Sequence, residues 1–343
     1  MRLTGRVRLH ILTGFLGSGK STLLRRYLHS GSAPRRCVVL INEFGAVAID
    51  HTLVRAYGNP TQALAGGCAC CDGDETLRAC LLETLRQIAS GELRGVEDIV
   101  LETSGVSDPS RIVGTIAAEM HLAEYIDVAT CVTVLEAGTN DAFVDRFPEL
   151  RNQIASASRI VVSKADLQSE QVTRTTVALA RRLNPLAQVQ VAEESASLEE
   201  LFAPAAAPRH VPALLRDHSS RFETFQVMLD KQLSWPEFSV WLTALLHCHG
   251  ERILRFKGVI PLPGDPAQAL VLQGVRHRVY EPEHLDIDPA RGAAHFGLVF
   301  ICTGRMETPI RESLQAFSRM VRDVHMPIAT RSQPHVDTGK VHA

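Results

Sequence analysis

Gly14-Phe15-Leu16-Gly17-Ser18-Gly19-Lys20-Ser21-Thr22 has the residue types and spacing of a phosphate cradle. Glycines at fixed offsets let successive backbone N–H groups turn inward around an anion, and a helix that begins at the lysine adds its positive end. In such a loop Lys20 reaches the β- and γ-phosphates and the Ser21 hydroxyl ligates Mg²⁺. Ser163-Lys164-Ala165-Asp166 follows the apolar run 160–162. A carboxylate at Asp166 can accept two hydrogen bonds from the N1–H and N2 amine of guanine, and adenine offers no such pair. Lys164 would lay its stem along the base. The chemistry these segments predict is hydrolysis of a nucleoside triphosphate, with GTP the expected substrate.

Two further clusters refine that expectation. Glu102-Thr103-Ser104-Gly105 closes the apolar run 99–101. Glu102 is expected to hold the Mg²⁺ water shell, and the Gly105 N–H to turn toward a γ-phosphate. Val106 stands where Ras-like enzymes place a water-orienting glutamine, so slow intrinsic turnover is expected. Asn42-Glu43-Phe44-Gly45, with Asp50 beyond it, is a candidate switch segment; Glu43 and Asp50 are candidates for sensing Mg²⁺ or positioning water. Gly66-Gly67-Cys68-Ala69-Cys70-Cys71 places three thiols within four residues of a glycine turn. Cys68, Cys70 and Cys71 suit Zn²⁺ or another thiophilic divalent ion with one coordination position left open. Small buried apolar residues or a redox-active thiol pair are the alternatives for these cysteines.

The elements that must carry these residues are legible as an alternation. Continuous apolar runs at 7–13, 37–42, 98–102, 128–135, 160–163 and 189–192 read as strands buried on both faces. Amphipathic stretches at 20–29, 75–89, 110–120 and 170–182 read as helices. Ser197-Leu198-Glu199-Glu200 resembles a capping box opening a short helix. The fold class is α/β, a parallel sheet covered by helices, with a smaller C-terminal α+β domain. That second domain is expected to hold strands at 222–229, 253–260, 269–274 and 296–302, with helices at 235–247 and 309–322. The division expected is 1–208 for the nucleotide domain, 209–220 for a linker, 221–330 for the second domain and 331–343 for a tail.

Composition sets the outer bounds. The 343 residues are 45% hydrophobic and 22% charged, with a formal net charge of −2. Neither nucleic acid nor a membrane is the expected partner. The N-terminal residues have no signal-peptide layout and no apolar run is long enough to span a bilayer, which predicts a cytoplasmic protein with reduced thiols. Isolated histidines such as His247, His249 and His277 lack paired ligand spacing and are not assigned to a metal.

Taken in order, the five segments 13–24, 42–45, 67–71, 102–105 and 163–166 make the chain similar to CobW-type GTPases, the cobalamin-synthesis-protein-like metallochaperones. Ile253-Leu254-Arg255-Phe256-Lys257-Gly258 and Leu272-Gln273-Gly274-Val275-Arg276-His277 resemble that family's C-terminal domain. The resemblance implies GTP hydrolysis coupled to delivery of a metal ion, zinc most often and cobalt in some branches, to a client metalloprotein; a homo-oligomer is compatible with it. Three positions depart from the family pattern: Ala46 in place of an acidic residue, Glu136 in place of Asp, and Ser163 in place of Asn. An ATP-dependent small-molecule kinase or ligase, and a non-catalytic metal buffer or redox sensor, are the competing functional readings.

Overall fold

In the computed structural model, residues 5–29, 37–41, 61–63, 73–192, 201–203, 222–229, 233–262, 268–286 and 296–325 are described. Glu43, Asp50 and the rest of the candidate switch segment, Cys68, Cys70 and Cys71, the capping box at 197–200, the linker 209–220 and the tail 331–343 lie outside them.

The apolar runs form one parallel sheet. Its strands are β1 (Val7–Gly14), β2 (Cys37–Ile41), β3 (Thr61–Ala63), β4 (Asp98–Glu102), β5 (Ile126–Glu136), β6 (Arg159–Ser163) and β7 (Gln188–Val191). They lie in the order β3-β2-β4-β1-β5-β6-β7, and every pairing is parallel. All five residues of β2, β4 and β6 are buried, as strands covered on both faces must be. Helix α1 (Lys20–His29) covers one face, packing Leu23, Leu24 and Tyr27 on Leu12, Val39, Val100 and Val134. On the other face, α2 (Gly73–Ser90), α3 (Pro109–Ala118) and α4 (Met120–Tyr125) pack Leu81, Leu85, Ile112, Ile116 and Leu122 on Leu9, Ile11, Leu40 and Leu101. Each such side chain contributes about 1.5–3 kcal/mol by leaving water. Further along the sheet, Val144 of α5 (Asp141–Arg146), Leu150 and Ile154 of α6 (Pro148–Ser156) and Leu179 of α7 (Glu170–Leu183) cover Leu135 and Ile160.

The one helix expected over 110–120 is two. Glu119 takes an extended conformation (φ −100°, ψ 118°), ending α3 and opening α4 at an angle that seats Leu122 in the core. The helices α5 and α6 and the strand β3 were not expected.

A second sheet, antiparallel, is built from β8 (Phe222–Met228), β9 (Ile253–Pro261), β10 (Gln268–Val275), β11 (Arg278–Val279), β12 (Glu283–Asp286) and β13 (Gly297–Thr303). The order is β11-β10-β9-β13-β8, with β12 also pairing β10. Helices α8 (Trp235–His249) and α9 (Glu307–His325) cover one face through Phe238, Trp241, Leu245, Ile310 and Leu314. The Glu237 carboxylate accepts from the Ser234 N–H at 2.7 Å, fixing the start of α8. Among the described residues no helix is long and apolar enough to cross a membrane.

At the end of the parallel sheet remote from the glycine loop, a polar cluster joins β1, β4 and β5, with Asp98, His10 and Thr130 buried and Arg8 at the surface. Asp98 accepts two bonds from Arg8 (2.7 and 2.8 Å) and faces the His10 ring at 3.0 Å, whose other nitrogen meets Thr130 at 2.9 Å. Burial pushes the Asp98 carboxyl up, but the bonds from His10 and Arg8 outweigh it, and the group ends below the ordinary carboxylate value. A depressed carboxyl adds stability above its unfolded value, and that contribution is lost as pH falls through the lowered folded value. Asp98→Ala is therefore expected to cost about 3 kcal/mol at pH 7, because Arg8 and His10 lose their acceptor. Urea denaturation should show the deficit shrinking at acid pH; a constant difference from pH 7 to pH 3 would count against the assignment.

Candidate nucleotide-binding site

The glycine loop runs from the end of β1 into α1. Gly14 has φ +142°, and a Cβ there would lie 2.3 Å from the Val134 carbonyl oxygen, so only glycine lets the chain leave β1 this close to β5. Gly17 and Gly19 also have positive φ (+74° and +93°), with open space on the side a Cβ would occupy. The turn closes through the Ser18 N–H donating to Phe15 O at 3.1 Å, and α1 begins at once, its Leu23 N–H donating to Gly19 O at 2.9 Å. No acidic residue occupies the first turn of α1, formed by Lys20, Ser21 and Thr22, so its positive end is unopposed within the helix. Lys20, a residue only 9% exposed, lays its ammonium back on the loop, 2.8 Å from Gly14 O and 3.2 Å from Phe15 O. The Ser21 hydroxyl donates to Glu102 at 2.6 Å. A hydroxyl and a carboxylate this close, one from the loop and one from the end of β4, form a donor set of hard oxygens that fits Mg²⁺, and the cradle fits the phosphates.

Parallel pairing of β1 with β4 sets Leu12 opposite Glu102 and carries the chain beyond Glu102 across the loop. The Thr103 hydroxyl donates to that of Thr13 at 2.9 Å. Gly105 then lies directly against the loop: a Cβ would come within 2.6 Å of the Leu16 backbone nitrogen and 2.7 Å of its Cα. Ser104 and Ser107 close the turn, hydroxyl to hydroxyl at 2.7 Å. The predicted pair Glu102 and Gly105 therefore converges on the glycine loop from one side.

The segment expected to recognise the base, 163–166, converges from the other. Ser163, at the end of β6, donates its hydroxyl to Ser18 O at 2.7 Å. Where the family pattern has Asn, this serine ties β6 to the loop directly. Lys164 is left-handed (φ +56°), and its ammonium meets Glu136, the second departure, at 3.0 Å. Asp166 sits exposed on the 3₁₀ turn Ala165–Leu167. A cavity of about 590 Å³ opens behind the loop between Phe15, Glu136, Asn140, Phe143 and Gln168. Phe15, Leu16 and Ser18 of the glycine loop form one wall of it, whereas Lys20, Ser21, Lys164 and Asp166 do not line it. The buried Ser18 hydroxyl has no hydrogen-bond partner among the described residues.

The comparison with known families bears on the whole of this arrangement. Residues 8–191 match the CobW/HypB/UreG nucleotide-binding domain. This chain belongs to that family. Residues 222–318 match the cobalamin synthesis protein CobW C-terminal domain, the second sheet and its helices. Among CobW-type relatives, the zinc chaperone YjiA of Escherichia coli K12 is 28% identical over 288 residues, spanning 81% of this chain and 88% of that protein. The zinc chaperone CobW of Pseudomonas aeruginosa is 31% identical over 324 residues, spanning 81% and 83%. The crystal structure of Zn(II)-bound YjiA GTPase from E. coli has the same fold, with a TM-score of 0.70 at 23% identity, covering 92% of this chain and 99% of that one.

Several residues at this site were passed over in the sequence. Gln153, fully buried in α6, donates both to Gly105 O and to Ser107 O at 3.1 Å. Asn152 donates to Asp108 at 3.1 Å. The signals for α5 and α6 are present: Asn140 caps the first through the Phe143 N–H at 2.9 Å, and Pro148 opens the second. Among the described residues no group of three or more His, Cys, Asp or Glu side chains could hold a metal ion.

Proposed function

We propose that this chain is a GTP-hydrolysing metallochaperone. GTP is held by Gly14, Gly17, Ser18, Gly19, Lys20, Ser21 and Thr22, with Gly105 at the terminal phosphate and Lys164 and Asp166 at the base. Ser21 and Glu102 hold Mg²⁺, which when bound neutralises charge developing between the β- and γ-phosphates. The cargo is a divalent transition metal, zinc first and cobalt second, carried on Cys68, Cys70 and Cys71 and delivered to a client metalloprotein. Glu43 and Asp50 belong to the switch that joins the two sites. The observation that carries this reading is the 2.6 Å contact of Ser21 with Glu102 at the mouth of the glycine loop. Zinc-chaperone relatives extending over four-fifths of the chain support the cargo.

The chain's own residues supply three elements of the mechanism. Backbone N–H groups of the loop and the positive end of α1 orient the phosphates in place of water. Lys20 swings from the Gly14 and Phe15 carbonyls onto the phosphoryl oxygens. Gly105, packed on Leu16, responds to whether a terminal phosphate is present, and the segment ahead of the cysteines responds with it.

Such coupling is reciprocal: whatever factor GTP adds to metal affinity, metal adds to GTP affinity. Zinc competition titrations with Mg²⁺ and a non-hydrolysable GTP analogue should show zinc bound at least about tenfold tighter than with Mg²⁺ and GDP, within the usual range of coupling energies. Cys70→Ser should abolish the difference. Equal zinc affinity in both nucleotide states would refute the chaperone cycle.

A further inference from the structure

The turn that lies on the glycine loop is held from behind by two domains at once. Gln153 grips its Gly105 and Ser107 carbonyls. One residue further on, Asp108 starts α3: its Oδ1 accepts from the Ser110 N–H at 2.9 Å, while Oδ2 accepts from Asn152 and from Arg276 of the C-terminal domain, both at 3.1 Å. Arg276 also donates to the Ser110 hydroxyl at 2.6 Å and to Glu251 at 2.6 Å. Its backbone is left-handed (φ +51°), as the two-residue turn between Val275 of β10 and Arg278 of β11 requires. A second arginine, the buried Arg255 on β9, donates to the Ser156 carbonyl at 2.6 Å, at the C-terminal end of the helix that carries Asn152 and Gln153.

We infer that Gln153, Asp108 and Arg276 are positioning residues for GTP hydrolysis, through which the C-terminal domain sets the geometry of the terminal-phosphate turn. The inference rests on the proposed role of Gly105 in contacting that phosphate. Arg276 and Arg255 hold α6 and the start of α3 in one relation; α6 holds the Gly105 and Ser107 carbonyls; Gly105 is seated against Leu16. None of the three side chains touches the nucleotide cradle itself, so their effect falls on the hydrolytic step and on discrimination between tri- and diphosphate. Ground-state binding of GDP, which needs only the loop and the base segment, is spared. The same linkage makes the C-terminal domain a lever: a partner that displaced Arg276 from Asp108 would slow the enzyme without touching its nucleotide.

The test compares Arg276→Met, Gln153→Met and their double mutant with the wild-type full chain, measuring kcat, the affinity for GDP and the affinity for a non-hydrolysable GTP analogue. In Arg276→Met kcat is expected to fall about tenfold, and the analogue's advantage over GDP to shrink, with GDP affinity within about twofold of wild type. The double mutant should be no slower than the slower single mutant, since both act on one turn. An unchanged kcat, or a parallel loss of affinity for both nucleotides, overturns the inference. If Arg276→Met or Gln153→Met does not fold, Asp108→Asn carries the same test, since an asparagine still caps α3 but loses its charge toward Arg276. Gly105→Ala separates the two levels. If it leaves hydrolysis intact, the reading of the turn as phosphate contact has failed; if it slows hydrolysis while Arg276→Met and Asp108→Asn do not, the interdomain clamp alone has failed.

Discussion

Replacing Lys20 with alanine is expected to slow GTP hydrolysis by about a hundred- to a thousandfold, the cost of removing one preorganised charge from a phosphoryl-transfer site. Lys20 begins α1 as a largely buried residue, its ammonium held by two carbonyl oxygens of the loop. In that low-dielectric position its attraction for the bridging and terminal phosphoryl oxygens is many times what it would be in water. Charge grows on those oxygens only as the bond breaks, so most of the effect belongs to kcat. Alanine is the best helix former, and Leu23, Leu24 and Tyr27, which pack α1 on the sheet, are untouched, so the variant should still fold. Phosphate release under saturating GTP measures the effect, and GDP titration gives the accompanying loss in binding, expected to be smaller. A variant within threefold of the wild-type rate would mean that Lys20 does not face the reacting phosphate.

Why Lys20 was legible in the sequence, and Gln153 was not, is a matter of how local each constraint is. The glycine loop is encoded by residues within nine positions of one another, because a backbone that curls around an anion needs glycine and a lysine at set offsets. The buried strands announce themselves by composition, since a strand covered on both faces tolerates few polar residues. The clamp behind Gly105 has no such local trace: Arg255 meets Ser156 across 99 residues and Arg276 meets Asp108 across 168. Helices α5 and α6, at six and nine residues, are too short for a 3.6-residue period to emerge, and only Asn140 and Pro148 mark them. The break at Glu119 carries no glycine or proline; burial of Leu122 decides it. The two family-like segments of the C-terminal domain could be recognised as a pattern, yet only the fold reveals that their arginines are spent on the nucleotide domain.

Ser163 makes the same point in the other direction. Read alone, serine in place of asparagine is a shorter side chain with a donor fewer. In the fold, β6 ends close enough to the loop for a hydroxyl to reach Ser18 O, and that bond ties the segment 163–166 to the glycine loop. Asp166 is thereby placed at a set distance from the cradle even though its own side chain is exposed.

That placement leads to the second large effect. Asp166→Asn should convert a guanine site into a xanthine site, shifting the ratio of GTP to XTP affinity by about a thousandfold or more. Guanine presents two donors, N1–H and the N2 amine, and a carboxylate accepts both; each charge-assisted bond is worth about 1.5–3 kcal/mol. Asparagine keeps one acceptor and turns an N–H₂ toward the N2 amine, donor against donor, so GTP loses roughly a hundredfold. Xanthine carries a carbonyl where guanine carries the amine. The wild-type carboxylate repels that oxygen, whereas the asparagine amide donates to it while its carbonyl accepts N1–H. Asp166 belongs to a short exposed turn and packs on nothing in the core, so the substitution leaves stability unchanged. Competition of GTP, XTP and ATP for the wild-type and Asp166→Asn proteins is the measurement. Retained preference for GTP in the variant would remove Asp166 from the base site, and preference of the wild type for ATP would remove guanine from the argument altogether.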